Sequence, residues 1–192
     1  MRSLLLTLLL PCVVAACGGG EQRAPASEAG RGQVDACALF PKADAERLLG
    51  GPVGEPNRGT DVHDTASGRA LSHCMYMAAG SSRSASVLVR RAPGEAVPTS
   101  MEAVRAAARR AVTEQDDADF RELAEEAAKV IERSEPVPGV GQVAYWSPEM
   151  RQLTAYVAPH WMMVVSVSTD PGAGDREWAP AAELARLVAG RL

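Results

Sequence analysis

Aromatic side chains make up only 4% of the 192 residues. That argues against the stacking platforms on which single-stranded nucleic acid lies, and against a broad aromatic cleft for sugars. An excess of basic charge is missing too: the formal net charge is −4, so there is no electrostatic footprint for nucleic acid. Histidine occurs three times, as His63, His73 and His160. No Gly-x-Ser-x-Gly elbow announces a serine nucleophile, and no internal repeat is visible. No apolar run reaches the ~20 residues needed to cross a bilayer as a helix. The sequence therefore points to no catalytic set, no resident metal and no cofactor.

What is present begins at the N-terminus. Arg2 precedes a short apolar stretch, Leu4 to Ala16, interrupted by Thr7 and Pro11. Its length and flanks fit a secretory signal. The stretch ends in Val14-Ala15-Ala16-Cys17 and then turns abruptly to Gly18-Gly19-Gly20. This ending resembles the lipobox of bacterial lipoproteins: an aliphatic residue, two small residues, then cysteine. The resemblance implies removal of residues 1–16 as a signal peptide, diacylglycerol on the Cys17 thiol, and usually a further acyl chain such as palmitate on its amine. Two or three acyl chains, at ~0.8 kcal/mol per buried methylene, hold far more firmly than a single chain. The alternative is an ordinary secretory signal cut near Ala16, leaving Cys17 as a free thiol. Gly18, where an aspartate would imply retention in an inner membrane, leaves cell membrane and outer membrane both open as the extracytoplasmic site of anchoring.

Residues 17–34 read as a tether, rich in Gly, Ala and charge and without apolar periodicity. Such a segment buries too little surface to offset its chain entropy, and as a flexible spacer it spans ~20–25 Å. Residues 35–192 are the size of one ordinary domain. With Cys12 in the signal and Cys17 lipidated, Cys37 and Cys74 remain as a pair in an oxidising compartment, and a disulfide is the expected state. In the chain-entropy model it contributes ~4 kcal/mol. A two-thiol metal site or a redox pair is the alternative, although both favour closer spacing.

Within the domain, ALFPKADAERLLGG reads as one short helix from Pro41 to Gly50, and residues 51–69 as a loop holding one short strand. LSHCMYMA sets Cys74, Tyr76 and Ala78 against His73, Met75 and Met77; ASVLVRR alternates likewise, and GSSR between them completes a hairpin pattern. Ser100 then opens a helix with Met101, Val104, Ala108 and Val112 at helical spacing. A second helix starts at Ala118 with Phe120, Leu123 and Ala127 on one side and continues to Arg133, with the start of a strand over Lys129 to Arg133 as the weaker alternative. GQVAYWS, RQLTAYVA and HWMMVVSVST are strand-like, and Trp178 to Leu192 closes the chain as an amphipathic helix. Strands joined by short turns predict an α+β fold: an antiparallel sheet of about five or six strands with helices packed on one side.

The order of these segments resembles a family of small bacterial lipoproteins with no established activity. The residues that carry the likeness are Cys37 and Leu39, Leu49 and Gly50, Cys74, and Gly139, Gly141 and Ala144. The resemblance implies a PsbP-like α/β sandwich and an envelope location, and no chemistry.

Several constellations have competing readings. Gly139-Val140-Gly141-Gln142-Val143-Ala144 formally matches a dinucleotide fingerprint, but prolines precede it and a strand follows, the reverse of what a pyrophosphate site requires. A tight turn into a strand explains it better. Asp61, His63 and Asp64 put carboxylates beside an imidazole in a loop. The acids of EQDDADFRELAEE read as a solvated helix face, and Arg105, Arg109 and Arg110 as a basic stripe paired with nearby acids. Tyr145, Trp146, Tyr156, His160 and Trp161 gather many of the aromatics into the last three strands, and Trp146, Tyr156, His160 and Trp161 read either as a ligand or partner patch or as core. The functional expectation is a non-enzymatic, lipid-anchored envelope domain. It binds a protein partner or a small apolar ligand in a crevice between sheet and helices. An envelope hydrolase or a metal-dependent enzyme with a scattered site is the alternative.

Overall fold

The computed structural model describes residues 34–59, 61–157, 159–168 and 178–192. The signal peptide, Cys17 and the tether expected over residues 17–34 lie outside the described residues, apart from Val34. Among the described residues the fold is α+β, with five helices and a sheet of eight antiparallel strands. No helix among them is long and apolar enough to cross a membrane.

The chain enters through α1 (Ala36–Leu39) and α2 (Lys42–Leu49). The single helix expected here is two, because Pro41 disfavours helical geometry in the residue before it; Phe40 ends α1 and Pro41 caps α2 in an extended conformation. Asp35 caps α1, its carboxylate accepting from the backbone N–H groups of Cys37 and Ala38. Gly50 stops α2 with φ 68°, the left-handed geometry glycine adopts without a Cβ penalty.

Two short strands follow, β1 (Asn57–Arg58) and β2 (Val62–Asp64), where the sequence pattern indicated one. Both pair with β3 (Arg69–Met77) along its outer edge. β3 turns into β4 (Ser84–Arg91) as the expected hairpin. The chain then leaves the sheet for α3 (Met101–Thr113) and α4 (Ala118–Arg133). It returns as β5 (Glu135–Pro136), β6 (Val143–Ser147), β7 (Gln152–Val157) and β8 (Trp161–Ser168), and ends in α5 (Ala179–Ala189). The strand order is β1-β3-β4-β8-β7-β6-β5. The long pairing of β4 with β8, Ser84 opposite Ser168 to Arg91 opposite Trp161, welds the first hairpin to the final meander.

The five long strands are those the sequence marks as strand-like, four of them by alternation. The count exceeds five or six because β1, β2 and β5 are two or three residues long, too short to show a period. The open choice at Lys129 to Arg133 resolves as helix: α4 runs to Arg133, and the Ser134 hydroxyl donates to the Val130 carbonyl at 2.8 Å to finish it.

One face of the sheet carries the core. Cys74 and Tyr76, Val87 and Val89, Met163 and Val165, Leu153 and Ala155, and Ala144 and Trp146 point to this side. They meet Phe40, Ala45 and Leu49 of the entry segment and Ala181, Leu184, Ala185 and Val188 of α5. Cys37 and Cys74 form the disulfide, their Cα atoms 5.1 Å apart, tying α1 to the middle of β3. Beside it the buried Ser72 hydroxyl accepts from the Ala36 N–H at 2.9 Å, and Phe40 meets Tyr76 edge-on with ring centroids 5.3 Å apart. Arg191 reaches back from the C-terminus to the Leu39 carbonyl and to the Asp44 carboxylate.

The helices are not confined to this side. The α3–α4 hairpin lies over the opposite face at β6, where Val104, Val143 and Tyr145 form a second small core with Met101, Ile131 and Tyr156 packed against it. β6 is consequently buried on both faces, all five of its residues. An amphipathic stripe requires that a helix bury one side but carries no information about which sheet face receives it. The pairing of α3 with α4 is reinforced by Arg105 and Arg109, both ion-paired with Glu132. That accounts for two members of the basic stripe.

Candidate functional site

α4 is the anomaly of the fold. Its stripe of Phe120, Leu123, Ala127, Val130 and Ile131 follows helical spacing, yet none of its sixteen residues is buried. Phe120 is 60% exposed and Leu123 65%. A globular helix with an apolar stripe normally packs that stripe against its core. Here only the C-terminal half approaches the sheet, and it does not close on it.

The space left between them is a groove of about 360 Å3, floored by Tyr145, Ser147, Gln152 and Thr154 of β6 and β7 and walled by Glu126, Ala127, Val130 and Ile131 of α4, with Met150 at the turn. That volume falls within the ~300–1,000 Å3 of small-molecule sites. The wall is apolar, and the floor offers a few hydroxyls and one amide. The geometry is held from outside the groove. Arg133 pairs with Glu149 at 2.9 Å, fixing the end of α4 to the β6–β7 turn, and the Asp117 carboxylate caps the other end by accepting from the N–H groups of Asp119 and Phe120. Glu126, the one acid of the lining, is engaged by Lys129 at 2.6 Å, and that pair holds its carboxyl below the usual range.

Under the groove, Tyr145 is hydrogen-bonded to Thr154 and Tyr156, and burial outweighs these bonds to push its phenol up. Burial, reinforced by the neighbouring Tyr145 hydroxyl, pushes Tyr156 up to about 12. Both phenols are therefore neutral hydrogen-bonding groups at ordinary pH. They are not bases.

The aromatic set indicated by the sequence is divided between two places. Tyr156, His160 and Trp161 come together around a cavity of about 30 Å3, with Arg90, Glu95 and Met162. This is room for roughly one water. Arg90 grips Glu95 through one nitrogen at 2.7 and 2.8 Å, and Arg91 lies 5.8 Å from the centroid of the Trp161 ring. His160 sits in the β7–β8 turn with φ 134°, and its buried Nδ1 has no hydrogen-bond partner. Trp146 stands apart: 3% exposed, it belongs to the core on the first face, against which Trp161 also packs from the rim, and it does not line this cavity.

His63 and its acidic neighbours lie on or beside β2, all exposed, with the Asp64 carboxylate turned back to accept from Ser67. No group of three or more His, Cys, Asp or Glu side chains among the described residues could hold a metal ion. Gly139 and Gly141 have φ of 73° and 56° and lead directly into β6. A Cβ on Gly141 would collide with the Tyr156 carbonyl. The glycines thus serve a turn pressed against β7 and do not cradle phosphate.

The groove itself was missed by sequence reasoning. Its signal was the continuation of the α4 stripe through Val130 and Ile131, read together with the polar alternation Gln152, Thr154, Tyr156 on β7. No family model, no curated protein and no solved structure matches the chain.

Proposed function

We propose that the protein is a lipid-anchored, extracytoplasmic binding module of the cell envelope that takes a small neutral apolar ligand in the groove between α4 and the sheet. One observation carries the reading: an amphipathic helix buries none of its apolar stripe completely and leaves Phe120 and Leu123 exposed, beside a groove of about 360 Å3. Solvent-exposed apolar surface of this kind marks binding sites. Glu126 as the only charged lining residue disfavours anionic ligands, and Phe120 and Leu123 continue the apolar wall beyond the mouth. The hydroxyls of Tyr145, Ser147 and Thr154 supply the few polar groups that orient a ligand.

The reading is tested with the neutral fluorescent probe phenylnaphthylamine and with decanol as competitor. Saturable one-to-one binding, displaced by decanol and abolished when Ala127→Trp fills the groove, is the expected result. Binding that survives A127W places the ligand elsewhere, and a wild-type chain that binds neither compound removes small apolar ligands in favour of a protein partner on the α4 stripe. Anchoring rests on the Val14-Ala15-Ala16-Cys17 sequence. It predicts acyl mass on a chain beginning at Cys17, and release from membranes by Cys17→Ser. Unchanged membrane association of C17S would contradict it.

A further inference from the structure

β3 presents His73, Met75 and Met77 at alternate positions, on the face opposite the disulfide. Alternate strand residues stand ~6.8 Å apart, so Met75 has the imidazole on one side and a second thioether on the other. Nothing bulky presses on the methionines from β4, where Ser86 pairs with Met75 and Ser84 with Met77. On the other flank Met75 pairs with Asn57 of β1. Next to it Gly59 leaves the space the imidazole occupies, since a Cβ there would lie 2.9 Å from both Cβ and Nδ1 of His73. Among the described residues no helix roofs this part of the sheet: α1 and α2 pack on the other face, and the α3–α4 hairpin sits at β6. Met77 is 54% exposed, so its thioether is open to solvent.

From this arrangement we propose that His73, Met75 and Met77 form a binding site for a soft monovalent cation, Cu(I) or its redox-inert analogue Ag(I). Thioether and imidazole are both neutral donors, and thioether sulfur selects soft ions over Zn(II), Mg(II) or Ca(II). Methionine side chains have three rotatable bonds and a polarisable sulfur, so those of Met75 and Met77 can fold toward one ion above the strand. Thioethers also cannot be consumed by disulfide formation. The site is independent of the α4 groove, and of whether that groove holds a ligand.

The test uses the full chain with its free thiols alkylated and the Cys37–Cys74 disulfide intact, titrated with Ag(I) and followed by the methionine methyl NMR signals. The expected result is one tight equivalent that shifts the methyls of Met75 and Met77 and the ring protons of His73, while those of Met101, Met150 and Met162 stay in place. In competition with bicinchoninate, Cu(I) affinity should fall on the order of 100-fold in M75L/M77L, the top of the 10–100-fold range seen on removing even a supporting group, with unchanged near-ultraviolet circular dichroism. Zn(II) should produce no shift. Equal movement of all the methionine signals, no movement at stoichiometric Ag(I), or unaltered affinity of the double variant would each overturn the proposal.

Discussion

Cys74 and Met75 are adjacent in sequence and stand on opposite faces of β3, and their surroundings could hardly differ more. Cys74 is fully buried and bonded to α1; Met75 is only half-buried, between the short side chains of Asn57 and Ser86. The same contrast holds along the whole sheet. The first face is sealed by α1, α2 and α5, and its strand residues are almost fully buried. Among the described residues the second is roofed by helices at β6 only, and Leu88, Met162 and Val164 remain half-buried. On the proposed reading, stability and recognition lie on different sides of one sheet. Tight packing on the first face leaves no room for a ligand, and the second can leave surface unburied because the first already holds the fold.

The largest effect that would sharpen this contrast is loss of the disulfide. C37S/C74S should lower unfolding free energy by ~4 kcal/mol in the chain-entropy model, given the sequence separation of 37. Urea unfolding measures it, and a loss under ~1 kcal/mol would show that the first face does not depend on the staple. Next comes a matched pair of truncations. Leu153→Ala on the sealed face should cost ~2–5 kcal/mol, and Leu88→Ala on the open face, where the side chain is already partly in water, under about 1. Equal costs would break the comparison.

Asp35 gives a smaller effect with a pH signature. Partial burial pushes its carboxyl up, but hydrogen bonds from Arg58 and from the Cys37 and Ala38 N–H groups together hold it below 3.8. A depressed folded-state value stabilises above the unfolded value and is lost as pH falls through the lower one. Asp35→Ala should therefore cost about 1 kcal/mol at neutral pH, as caps do, and the gap to wild type should narrow as pH drops below 3.8. The smallest effect is on the open side. Tyr156, raised to about 12, favours the folded state fully below the unfolded value near 10, and that contribution is lost as pH climbs from there to 12. Tyrosinate absorbance should show one late step of three, and Tyr156→Phe should remove that step.

Much of the sealed face was legible because strict alternation on β3, β4, β7 and β8 records a strand with one wet and one dry side. α5 was legible for the parallel reason at helical spacing, with Ala181, Leu184, Ala185 and Val188 turned inward. β6 was harder. Buried on both faces, it has no alternation, so nothing in the sequence distinguished Trp146 in the core from Trp161 at the rim. β1, β2 and β5 exist because a neighbouring edge has free backbone groups, which is a property of β3 and β6 and not of the short segments themselves. The groove was only faintly marked for a related reason: a stripe such as Phe120, Leu123, Ala127, Val130, Ile131 looks the same whether the helix packs down or stands off, and only the polar alternation on β7 separates the two.

The central claim is that the open side of the sheet, at α4, is where the protein meets its ligand, and amide chemical-shift mapping with decanol tests it most directly. The account predicts shifts concentrated in residues 120–131 of α4 and in Tyr145, Ser147, Gln152 and Thr154, with α1, α2 and α5 silent. Shifts that instead fall on the sealed face, or spread evenly over the molecule, would contradict it.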